Sequence, residues 1–145
     1  MIKIIKLITA LLMFLYLANS ALAENSFFEE GKKKYDEKKY EESKFLFQRS
    51  IVFNPKESDS YLYLAKIYKN EDNKKEEEKN INTVLLLDPK NEEANYLLIE
   101  IELKKSNYSK VRELAENFSK VCNKLCDKKK LILESLENLE PQNES

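Results

Sequence analysis

Few residues in this chain could do chemistry. Three consecutive acids, Glu76, Glu77 and Glu78, stand in the run KKEEEKN. Carboxylates gathered in space hold metal ions, but consecutive side chains on a helix point apart, so the run reads as a solvated helix face. Cys122 and Cys126 are four residues apart, which is not the C-x-x-C spacing of a redox or zinc motif. The chain has no His to complete a metal set, to act as general base or to activate a serine. Its one glycine, Gly31, is too few for a glycine-rich phosphate cradle. No catalytic, cofactor-binding or metal-binding residue is therefore assigned, and the chain is not expected to be an enzyme.

The elements that would position a site are helices. Charged residues make up 35% of the 145, with a single Gly, which favours helices over tight hairpins. Lys and Glu are interspersed and the net charge is −1, so there is no one-sided basic footprint for nucleic acid. The segments IVFNPKE (51–57) and LLLDPKN (85–91) echo each other at a spacing of 34 residues. Laying 24–57 over 58–91 puts Phe27 on Tyr61, Gly31 on Ala65, Phe47 on Ile81 and Pro55 on Pro89. A fainter third copy over 92–125 keeps Leu98 and Tyr108 but has Asn95 where the aromatic stood and Asn123 where Pro stood. Each copy divides into two helices. In the second, Tyr61, Leu64, Ala65 and Tyr68 have helical spacing, with Ser58 or Ser60 as cap. A polar turn over 70–73 leads to a helix carrying Ile81, Val84, Leu85 and Leu87, stopped by Asp88-Pro89.

This pattern resembles the tetratricopeptide repeat, a 34-residue helix-turn-helix. The resemblance implies an all-α fold: a right-handed α-solenoid of three tetratricopeptide-like helix pairs (24–57, 58–91, 92–125) plus a C-terminal capping helix over 126–140 and a flexible tail over 141–145. It implies a protein–protein interaction adaptor or scaffold. In that family the first helix of each pair lines the surface where a peptide segment or partner helix docks. Carried over by register, the partner-binding residues are Phe28, Lys32 and Tyr35, then Leu62, Lys66 and Lys69, then Tyr96, Glu100 and Leu103. The rival reading buries Phe28, Leu62 and Tyr96 between repeats. Phe28, Glu93 and Leu97 stand where the family's carboxylate clamp needs polar or basic groups, so no such clamp is expected. Neither a small-molecule substrate nor nucleic acid is expected as partner. A homo-oligomer formed through the exposed ends is a further option, since three repeats leave edges to cover.

Residues 126–140 carry Leu131, Ile132, Ser135, Leu136 and Leu139 at amphipathic spacing, suited to a cap. Residues four apart in an unbroken helix hold their Cβ atoms about 5–6 Å apart, whereas a disulfide wants roughly 3.5–4.5 Å. A Cys122–Cys126 bond therefore requires the helix to break over 123–125, where Pro stood in the earlier copies; two free thiols beside the cap helix are the alternative. Residues 1–23 have a Lys3/Lys6 start, an apolar core and an Ala21-Leu22-Ala23 ending, the three parts of an export signal cut between Ala23 and Glu24. The expected location is the periplasm, with envelope assembly or maintenance as the setting. The alternative is an uncleaved N-terminal helix anchored in the inner membrane, the only membrane contact expected.

Overall fold

A computed structural model describes residues 27–139. The expected export signal and Ala23/Glu24 cut, the start of the first repeat and the expected tail over 141–145 lie outside the described residues. Seven helices and no strand occur among the described residues: α1 (27–36), α2 (Tyr40–Phe53), α3 (Ser58–Asn70), α4 (Lys74–Leu87), α5 (Glu92–Lys104), α6 (Tyr108–Val121) and α7 (Lys128–Leu139). They form three helix pairs and a terminal helix. The chain divides into two compact units, one up to Ile67 and one from Tyr68 onward, so the division falls within α3 and not at a repeat corner.

The backbone repeats more faithfully than the side chains. The turn inside each pair has one residue in the left-handed region, and the three are 34 apart: Lys38 (φ 60°), Asp72 (φ 53°) and Ser106 (φ 57°). None is glycine. The next residue precedes a helix. Asn73 and Asn107 cap α4 and α6 by accepting from the backbone N–H of Glu76 and Lys110, and Asn91 does the same for α5 at Ala94. Lys39, before α2, has no side chain that can serve.

The corners between pairs also match. Asn54 (φ −135°, ψ 87°) and Asp88 (φ −136°, ψ 87°) end α2 and α4 in one conformation. Each accepts, through its side chain, from the N–H two residues on, Lys56 or Lys90, across the intervening proline. The Tyr61 hydroxyl donates to the Pro55 carbonyl, and Asn95, the residue that breaks the aromatic pattern, donates its amide to the Pro89 carbonyl at 3.1 Å. A different side chain thus makes the same bond. The start of α3 departs from expectation. Ser58 is its first residue and Ser60 is buried, and the cap is Glu57, whose carboxylate accepts from both the N–H and the hydroxyl of Ser60.

In the first unit the core gathers around Phe47, which is fully buried. A Cβ on Gly31 would lie 2.9 Å from the Phe47 ring, so only glycine allows α1 to approach this closely. Ser43 reinforces the approach by donating its hydroxyl to the Gly31 carbonyl at 2.9 Å. In the second unit the core is mostly aliphatic. α5 buries Leu97, Leu98, Ile99 and Ile101 because it packs against α4, α6 and α7 together. α7 buries only Ile132 and Leu136. Leu131 and Leu139, expected on its packing side, are about half exposed, whereas Ile132 and Leu136 are buried where α7 packs on α5 and α6.

Candidate partner-binding face

The first unit assembles a shelf of rings. Phe28 and Tyr35 on α1 meet Tyr63 on α3, with centroids 6.0 and 5.2 Å away, and Phe47 stacks beneath Tyr63 at 4.8 Å. Tyr40 closes on Tyr35 at 5.5 Å. Phe47 is the buried floor, and Phe28, Tyr35 and Tyr63 are half-buried. Two ammonium groups lie over this shelf, Lys32 at 5.1 Å from the Phe28 ring and Lys66 at 4.9 Å from the Tyr63 ring. Lys32 is also bonded to Glu29 at 3.0 Å, and that hydrogen bond raises its pKa above the ordinary lysine value. Aromatic faces with cations beside them suit apolar side chains accompanied by acidic groups.

The nine residues assigned by register separate into two groups. Phe28, Lys32, Tyr35 and Lys66 come together in the first unit through Tyr63. Leu62 does not join them: it is only 6% exposed and belongs to the core. Its neighbour Tyr63 takes its place, because Leu has no polar atom to keep in water whereas the Tyr hydroxyl has one. Transfer by repeat register overlooked Tyr63; its three-residue spacing from Lys66 was the available signal. In the second unit Lys69 pairs with Glu100 at 2.6 Å, so each occupies the other's charge. Tyr96 lies beside Phe118 at 6.1 Å, and burial followed by the neighbouring Glu100 carboxylate raises its hydroxyl pKa. Leu103 is half-buried near the end of α5.

The three consecutive acids diverge. Glu76 pairs with Lys79, Glu78 pairs with Lys105, and Glu77 is buried. Burial raises the Glu77 pKa, offset in part by Lys104 and Lys69. Among the described residues no group of three or more His, Cys, Asp or Glu could hold a metal ion, and no helix is long and apolar enough to cross a membrane.

Where the third corner lacks proline, α6 stops at Val121 and the chain is irregular over 122–127. The sulfurs of Cys122 and Cys126 lie at disulfide distance, with Cα atoms 5.2 Å apart. The N–H groups of Asn123 (2.8 Å), Lys124 (3.1 Å) and Leu125, released from the helix, all donate to the carboxylate of Glu92 at the start of α5. Burial pushes that carboxyl up, and the bonds from Leu125, Asn123 and Lys124 outweigh it, leaving its pKa below the ordinary value. Nothing in the residue spacing pointed to Glu92, which lies more than thirty residues from its partners.

No protein-family model matches the sequence, and no curated protein matches it. Solved structures do. The tetratricopeptide domain of Arabidopsis OM64 superposes with a TM-score of 0.71 at 16% identity, over 82% of this chain and 98% of that one. The chain has the tetratricopeptide fold. The Yersinia enterocolitica type III secretion chaperone SycD, solved with a peptide of the translocator YopD, matches the same fold at a TM-score of 0.66 and 16% identity, over 79% of this chain and 90% of that one. The second tetratricopeptide domain of human RPAP3, solved with the HSP70 peptide SGPTIEEVD, matches at 0.65 and 17%, over 83% and 97%. The tetratricopeptide fold of this chain is thus shared with domains only 16–17% identical to it.

Proposed function

We propose that this protein is an exported protein-interaction adaptor that holds an extended peptide segment or a partner helix on the ring shelf of its first unit. The observation that carries the reading is the shelf itself: Phe28, Tyr35 and Tyr63 are only partly buried, with Lys32 and Lys66 beside them. The fold supports it, since SycD and RPAP3 were both solved with peptides. The ligand chemistry is an apolar side chain flanked by acids, and binding rather than reaction is the role. The Cys122–Cys126 pair favours an oxidising compartment, consistent with residues 1–23 as an export signal and with an envelope setting.

A photo-crosslinking residue placed at Lys66 tests the shelf, with one at Lys75 on the exposed start of α4 as control. The expected result is one protein adduct from position 66, weakened by Tyr63→Ala and absent from position 75. Equal labelling from both positions overturns the reading. N-terminal sequencing tests export separately: the mature chain is expected to start at Glu24, and a chain starting at Met1 ends the cleavage proposal in favour of an anchor.

A further inference from the structure

Helix α7 has its charges the wrong way round for a helix standing alone. A helix start favours acids and a helix end favours bases. α2, α3, α4 and α5 each carry an acid in the first turn. α7 has Lys128, Lys129 and Lys130 there instead, no base in its last turn, and Glu134 and Glu137 in its second half. On its outer side Lys129, Leu133 and Glu137 fall at intervals of four, in one row along the helix. Leu133 is 45% exposed. Lys129 and Glu137 are exposed and have no ion-pair partner among the described residues. Beside the row runs a groove of about 530 Å³ between α6 and α7, lined by Ala115, Leu133 and Leu136 together with the charged Arg112, Glu116 and Lys129, among others.

The geometry points to a second copy of this chain as the occupant of that groove, its α7 running antiparallel to this one about a two-fold axis at Leu133. The row is self-complementary about that residue. Lys129 lies four residues before Leu133 and Glu137 four after, so in an antiparallel pair each Lys129 faces the other copy's Glu137, twice by symmetry. The two charges are about 12 Å apart along the helix, so each ion pair forms at one end of the leucine contact and neither obstructs it. A parallel pairing sets Lys against Lys and Glu against Glu. The reversed polarity that is unfavourable within one helix becomes the feature that selects orientation in the pair. Apolar area at Leu133 supplies the attraction, and the charges supply the register.

Sedimentation equilibrium of the full chain tests this. The mass is expected to double with rising concentration, and salt is expected to weaken the association. Lys129→Glu and Glu137→Lys, both at exposed positions that leave far-UV helicity unchanged, are each expected to give a monomer over the same range. Mixing the two variants is expected to restore a dimer, because every facing pair is then again of opposite sign, and the double variant K129E/E137K is expected to dimerise by itself. A wild-type chain that stays monomeric throughout overturns the proposal. So does association that survives K129E alone, which assigns it to another surface, and so does failure of the mixture and the double variant to recover it.

Discussion

The two units solve one packing problem with different materials. The unit up to Ile67 is built on rings: Phe47 lies against Gly31 on one side and Tyr63 on the other. The unit from Tyr68 onward is built on branched aliphatics spread over α4, α5, α6 and α7. The second unit also satisfies its ends better. Asparagine caps α4, α5 and α6, and the Glu92 carboxylate gathers three N–H groups at the last corner. In the first unit α2 starts at an uncapped lysine, and the buried Ser50 hydroxyl has no hydrogen-bond partner. The difference teaches that the 34-residue backbone period tolerates large changes of chemistry, and that the first unit's order is concentrated at a single contact.

That concentration is open to direct attack. Phe47→Ala removes the ring that α1, α2 and α3 share, and is expected to cost about 3–5 kcal/mol; Ile81→Val at the matching register in the second unit is expected to cost about 0.5–1.5 kcal/mol. Urea unfolding of each variant checks the ratio, and equal losses would abolish the contrast. Gly31→Ala tests the contact from the other side. Helix propensity alone would stabilise it by roughly 1 kcal/mol. Phe47, buried and stacked, is not free to give way, so a net loss of about 1–2 kcal/mol is expected from overpacking. A gain in the urea midpoint would show that the ring shifts easily.

The capping difference can be transplanted. Lys39→Asn gives α2 the residue that precedes α4 and α6, and a gain of about 1 kcal/mol is expected, read as a rise in melting temperature. The smallest effect is confined to acid. The Glu92 pKa is lower in the folded protein than in the unfolded chain, so its contribution is fully present above the ordinary carboxylate pKa and is lost as pH falls through the folded value. Glu92→Gln is expected to flatten that part of the stability–pH curve. Glu77 acts with the opposite sign: burial raises its pKa, so its contribution is lost as pH rises through the folded value, and Glu77→Gln is expected to help most at neutral pH.

Local chemistry was legible in the sequence. Two Asx-Pro corners 34 residues apart, a small residue opposite a large one and a C-terminal amphipathic helix are short-range patterns, and each corresponds to a feature of the backbone. Asn95 looked like a lost aromatic, because residue type was visible and the Pro89 carbonyl it bonds was not. The site was less legible. Register transfer brought Phe28, Lys32, Tyr35 and Lys66 to one shelf but chose Leu62 over Tyr63, a difference of one residue and one hydroxyl.

Residue order alone determined that this chain makes paired helices and that α2 and α4 stop at Asx-Pro corners 34 residues apart. Only the tertiary structure decided which rings stay open, that Lys69 and Glu100 spend their charge on each other, and that Glu92 takes the three N–H groups of a corner without proline. The physical reason is range. Propensity, capping and proline act over a few residues, so they are written in adjacent letters, whereas exposure and pairing depend on which neighbour packing brings within a few ångströms, and that neighbour is often a repeat or more away.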